Sequence, residues 1–166
     1  PRPARDASRA VAGDQERRQH RDCPDGLRGR AGVFPLDSSS VRLLGREAGK
    51  RILQGPRGKV VLGGDTREST EGIAAHLAAG FQEAGCPVEY AGVIPTPAVA
   101  ELVLALQAGA GISVSASHNP YADNGIKIFG PDGKKWPDAE EESLEQKLLT
   151  SRSRLKTARS SGSGAP

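Results

Sequence analysis

Between residues 41 and 149 the apolar positions switch back and forth between helical and strand spacing. Val41, Leu44, Ala48 and Ile52 recur at helical intervals behind the candidate caps Asp37 and Ser38. Lys59 to Gly63 is a short β-branched run closed by glycine, the signature of a buried strand. Ile73, Leu77, Phe81 and Ala84 form the next helical stripe, with Gly85 placed as its C-terminal stop. Val88 to Val93 reads as a strand. Thr96-Pro97 reads as an N-cap followed by proline at the first helical position, and Val99, Leu102, Val103 and Leu106 continue that helix. Ala110 to Ser115 and Gly125 to Phe129 are strand-like. Asp138 to Leu149 is a helix whose acidic residues Glu140, Glu141 and Glu142 sit at its positive end.

Alternating strands and helices predict a three-layer α/β/α domain around a largely parallel sheet. Ligands of such sheets gather beyond the carboxyl ends of the strands. Two polar loops fall there: Gly63-Gly64-Asp65-Thr66-Arg67 and Ser115-Ala116-Ser117-His118-Asn119-Pro120.

The ends differ from the middle. Residues 1–22 hold six Arg and four acids, and their only apolar residues are one Val and several Ala; residues 151–166 hold four basic residues and no acid. Both are expected to be disordered tails, because they cannot bury enough surface to offset the entropy of ordering. Their shared Arg, Ala, Ser, Gly and Pro composition fits out-of-frame translation of GC-rich DNA beside a true coding frame, or natural tails. Residues 23–150 keep 13 basic and 16 acidic residues, so the formal charge of +3 belongs to the ends. No nucleic-acid partner is therefore expected of the domain, although a polyanion-binding role through the tails stays open. Cys23 and Cys86 form no CxxC pair, which suits a reducing cytoplasm better than a disulfide framework. No apolar run reaches the length of a membrane span, so no membrane partner is expected.

The stretch richest in chemistry is Gly111 to Gly130, GISVSASHNPYADNGIKIFG. It sets Ser, His, Asn and Lys in one loop-to-strand passage. A serine at a strand end is exposed and can act as a nucleophile when activated. A hydrolase elbow is excluded, since Gly111-Ile112-Ser113-Val114-Ser115 lacks the closing glycine, and no GxxxxGK[ST] phosphate loop occurs. On residue types alone, the stretch reads first as a plain turn built of turn-formers.

Ser117-His118-Asn119-Pro120 followed by Asn124-Gly125-Ile126-Lys127 resembles the active-site serine loop of the α-D-phosphohexomutase superfamily, and its surroundings are similar to the phosphoglucosamine mutase branch. Three more segments agree in the family's order: Asp25-Gly26-Leu27-Arg28-Gly29 resembles the opening glycine-rich hairpin, Gly64-Asp65-Thr66-Arg67 the Asp-Thr-Arg loop, and Ile94-Pro95-Thr96-Pro97-Ala98 the Pro-Thr-Pro turn. The resemblance spans residues 23–150 and implies domain I of the family, with a mostly parallel mixed sheet.

It also implies site roles. Ser117 would carry the catalytic phosphate and hold magnesium through it. Lys127 would be the general acid/base at the sugar hydroxyl, or else a phosphate-neutralising lysine. Arg28 would approach the phosphoserine, or else remain a surface arginine of the hairpin. His118 would orient the serine or contact phosphate, or serve the turn alone. Asp65 and Arg67 are expected to brace the loop internally. The implied reaction exchanges sugar 1-phosphate with sugar 6-phosphate in the cytoplasm; phosphomannomutase or phosphoglucomutase chemistry is the alternative, and a non-catalytic remnant another. The sequence departs from the family at Cys23-Pro24, where Gly-Thr is usual, and at Gly64, where Arg is usual. The family's metal loop, sugar-recognition loop and phosphate-binding loop, from domains II to IV, do not occur before Pro166. The phosphosugar site is therefore expected to be incomplete, and the isolated chain inactive.

Overall fold

The computed structural model describes residues 26–161 of the 166-residue chain. The elements run β1 (Leu27–Arg30), α1 (Ser38–Leu53), β2 (Val60–Gly64), α2 (Glu68–Glu83), β3 (Val88–Val93), α3 (Thr96–Ala105), β4 (Ala110–Val114), β5 (Asp123–Phe129) and α4 (Asp138–Ser161). The strands form one sheet in the order β1-β5-β4-β2-β3. β2 pairs in parallel with β3 and β4, while β5 runs antiparallel to β4 and to β1. Four strands share one direction and β5 opposes them, so the sheet is mixed as expected, with two parallel and two antiparallel pairings.

The period of two along the strands sorts the residues into layers. Val60, Leu62, Ile112, Val114, Ile126 and Ile128 face α1, α2 and α4, and with Leu44, Ile73, Phe81 and Leu144 they build the main core. Val61 faces the other way and packs with Val103 of α3. The α1–α2 crossing is tight because glycine lies on both helices. A Cβ on Gly80 would stand 2.0 Å from the Arg42 carbonyl oxygen, and one on Gly45 would stand 2.4 Å from that of Leu77.

Caps explain several boundaries. Asp37 caps α1, accepting from the Ser40 amide at 3.0 Å and from the Ser39 and Ser40 hydroxyls. Gly85 follows α2 with φ +78°, the left-handed turn that glycine accepts most easily. Thr96 does not cap α3. Pro95 holds that position with no side-chain bond, and the Thr96 hydroxyl instead meets the Ser113 hydroxyl at 2.8 Å.

Two elements differ from the sequence reading. β1 is an edge strand paired with β5, and Asp25 and Cys23-Pro24 of the expected hairpin lie outside the described residues, as do residues 1–22. α4 runs on to Ser161, through the segment assigned to a tail. Composition misleads there: Arg, Lys, Leu and Ala between 152 and 159 are good helix formers, and neither Gly nor Pro intervenes before Gly162. Acidic residues Asp138, Glu140 and Glu141 open this helix, in accord with its dipole. Arg152 stacks over the Phe34 ring at 4.2 Å, and Arg51 of α1 bonds Glu140 and Ser143. No described helix is long and apolar enough to cross a membrane.

Candidate active site

β2 and β4 run side by side and end together, which brings their two polar loops into contact. The Asp65 amide donates to the Val114 carbonyl at 3.0 Å, and the Ser115 amide donates to the Gly125 carbonyl at 2.9 Å. From this base the chain rises to Ser117, turns, and descends into β5. Ser117 is exposed and has φ +54°, a left-handed conformation that costs a non-glycine residue on the order of 1 kcal/mol. Its amide donates to the Ser115 hydroxyl at 3.3 Å.

Arg67 holds this conformation in place. Its guanidinium donates to the carbonyls of Ser117 (3.1 Å), Asn119 (3.0 Å), Pro120 (2.7 Å) and Asp123 (3.1 Å), and its Nε–H donates to Asp65 at 3.0 Å. An arginine side chain has five N–H donors, so all are occupied. With the side chain 9% exposed, Arg67 has nothing left for a substrate. Asp65 in turn accepts from the Thr70 hydroxyl at 2.7 Å and from the Arg67 amide at 3.1 Å. Burial pushes the Asp65 carboxyl up, but hydrogen bonds from Thr70, Arg67 and Ser115 outweigh it and hold the group below the usual range.

A second anchor lies beneath. Asn124 is fully buried; its amide group donates to the hydroxyls of Ser69 (2.9 Å) and Thr70 (3.1 Å), and its oxygen accepts from the Gly125 amide at 2.9 Å. The Tyr121 hydroxyl accepts from the Glu68 amide at 3.0 Å and so ties the loop to the start of α2. Gly125 must be glycine because a Cβ would meet the Ser115 carbonyl oxygen at 2.9 Å and Arg28 Cγ at 3.1 Å.

The predicted site residues converge to different degrees. Lys127 Nζ donates to Ser117 Oγ at 3.3 Å, joining a strand to the tip of the loop. Lys127 pairs with Ser113 in register, on the sheet face that carries α3. Arg28 stands opposite Gly125 on β1, so it shares that face with Lys127. His118 is exposed beside Ser117, and its ring makes no hydrogen bond among the described residues. Asn124 and Arg67 do more for this loop than the sequence alone suggests. Asn124 sits in the Asn-Gly-x-Lys signature, yet nothing in the spacing shows that it is buried.

No group of three His, Cys, Asp or Glu able to hold a metal occurs among the described residues. Asp65, the carboxylate bound into the loop, is taken up by Arg67 and Thr70. A phosphate on Ser117 would offer a divalent ion one oxygen donor, and the described residues do not by themselves fit a resident metal.

Fold and loop place the chain among α/β/α domains that raise a serine over the end of a mixed sheet, beside a lysine on the returning strand. It belongs to the phosphoglucomutase/phosphomannomutase family and carries that family's alpha/beta/alpha domain I, matched over residues 24–155. A protein named phosphoglucosamine mutase from Thermus thermophilus is 54% identical over 126 residues, covering 75% of this chain and 29% of the relative. One of the same name from Koribacter versatilis is 45% identical over 141 residues, covering 84% and 30%. The crystal structure of a phosphoglucomutase/phosphomannomutase family protein from Burkholderia thailandensis aligns with a TM-score of 0.65 at 30% identity, over 76% of this chain and 29% of that one. The chain thus spans less than a third of the length of these relatives.

Proposed function

We propose that the chain is the phosphoserine-bearing part of an enzyme of the phosphoglucosamine mutase type, which interconverts hexosamine 6-phosphate and hexosamine 1-phosphate for amino-sugar synthesis in the cytoplasm. The observation that carries this reading is the 3.3 Å approach of Lys127 Nζ to Ser117 Oγ on a clamped, exposed loop. The 54% identity to a relative of that name supports the choice of a hexosamine over glucose or mannose.

In this reading the phosphoryl group leaves Ser117 Oγ as its P–O bond breaks, and a sugar hydroxyl forms the new P–O bond. Lys127 gives a proton to the departing Ser117 oxygen and takes one from the attacking hydroxyl, so the proton count is unchanged. The bisphosphate then turns and returns its other phosphoryl group to Ser117 by the reverse steps. Phosphoryl transfer depends on positioning and charge neutralisation, which the rigid loop and the cations Lys127 and Arg28 supply. His118, next to the serine, is placed to contact the phosphate. Magnesium, when bound, would neutralise a phosphate oxygen. The rest of the phosphosugar site belongs to domains II to IV.

The test is complementation. The chain alone should show negligible turnover. Mixed with the remainder of the Thermus relative, lacking its own first domain, it should restore turnover of glucosamine 6-phosphate. Robust turnover by the chain alone, or restoration only with glucose or mannose phosphates, contradicts the reading.

A further inference from the structure

The serine loop has an asymmetry that the transfer chemistry does not require. The carbonyls of Ser117, Asn119, Pro120 and Asp123 all turn toward one guanidinium. In a trans peptide the C=O and the following N–H point in opposite directions. The only cis bond among the described residues is Phe34-Pro35, so the Ser117–His118 peptide is trans. When Arg67 draws the Ser117 carbonyl to its side, the His118 N–H must point away from Arg67. That N–H donates to no group among the described residues, whereas its neighbours Ser117 and Asn119 both donate, to the Ser115 hydroxyl and the Ala116 carbonyl. One backbone donor of the turn thus lacks an acceptor while both neighbours are engaged, and such a donor is the group that an added acceptor would satisfy.

We propose that Arg67 is a positioning residue: by pulling the loop carbonyls to one side it presents the backbone N–H of His118 to the phosphoryl group carried on Ser117. Arg67 itself touches no phosphate, since its five donors are filled. Its charge is balanced locally by Asp65. What it supplies is the direction of a peptide dipole, fixed before any phosphate arrives, and preset dipoles stabilise charge without reorganising. Lysine cannot substitute, because one ammonium cannot span four carbonyls and a carboxylate. The proposal rests on Ser117 as the phosphoryl carrier, but its test does not require the chain to turn over substrate.

Phosphoserine is installed genetically at position 117 of the whole chain. Amide spectra are then compared with the unphosphorylated chain at about pH 8, where the phosphate is a dianion, with a chelator present. The His118 amide proton should move strongly downfield, as a charge-assisted hydrogen bond requires. In Arg67→Lys and Arg67→Gln that shift should vanish, and amides 117–123 should exchange about tenfold faster or more, while β2 and β4 amides keep their protection. Retention of both properties in Arg67→Lys would show that charge alone suffices and would overturn the proposal. If the variants lose sheet protection, the unsubstituted chain decides, because an unmoved His118 amide on phosphorylation refutes it. A shifted His118 amide in a chain that fails complementation leaves this inference standing and removes the mutase reading.

Discussion

Replacing Asn124 with alanine strips the lower anchor of the serine loop without touching Ser117 or Lys127. Three hydrogen bonds disappear, two donated to Ser69 and Thr70 and one accepted from Gly125. The Ser69 and Thr70 hydroxyls can rotate, and Thr70 keeps its bond to Asp65. Those two losses are therefore modest, about 0.5–1 kcal/mol each. The Gly125 amide cannot rotate and stays buried without a partner, at about 1–3 kcal/mol. The expected loss is about 2–5 kcal/mol, which lowers the melting temperature of a domain this size by roughly 8–20 °C at about 4 °C per kcal/mol. Urea unfolding followed by circular dichroism should show the midpoint fall with the slope unchanged. A loss below about 1 kcal/mol in Asn124→Ala would refute the anchoring argument.

Two glycines of α2 should respond in opposite directions to alanine. Gly80→Ala drives a methyl group into the Arg42 carbonyl and should cost about 3 kcal/mol or more, whereas Gly72, with nothing within 4 Å of its Cβ position, should gain up to about 1 kcal/mol; thermal melts of the pair check this. Hydrogen bonds from Lys50 and Lys147 hold the Glu47 carboxyl down to about 2. A depressed carboxyl stabilises the fold above its unfolded value near 4.5, so stability should fall as pH drops from about 4.5 toward 2. Glu47→Gln should flatten that part of the curve in urea titrations run at stepped pH. Gly125→Ala should raise the exchange rate of the Ser115 amide, because the new methyl displaces either the Ser115 carbonyl or Arg28.

Most of the framework was legible because it is local. Helical stripes such as Ile73, Leu77 and Phe81 declare the buried face of α2 within one segment, and the β-branched run at Val60 declares β2. The motif loops were legible as signatures too. What was hidden depends on residues far apart in the chain. Leu27-Arg28-Gly29-Arg30 carries no apolar alternation and becomes a strand only because β5 supplies its hydrogen bonds. Arg67 is legible as an internal brace, but its reach is not: it ties together four carbonyls some fifty residues away. Thr96 has the residue type of a cap, but Ser113 on β4 offers its hydroxyl a buried partner instead. The end of α4 is hidden for the opposite reason: its serines and arginines give the segment a linker composition, which masks the helix-forming run among them.

The central claim is that Ser117, served by Lys127, carries the phosphoryl group. The chain, mixed with the remainder of the Thermus relative lacking its own first domain, can be incubated with a radiolabelled hexosamine bisphosphate and the label mapped by peptide mass. One phosphate is expected, on Ser117 of this chain, absent in Ser117→Ala and strongly reduced in Lys127→Ala. Label on this chain that persists in Ser117→Ala, or a mixture that turns over substrate while Ser117 takes up none, would contradict the claim.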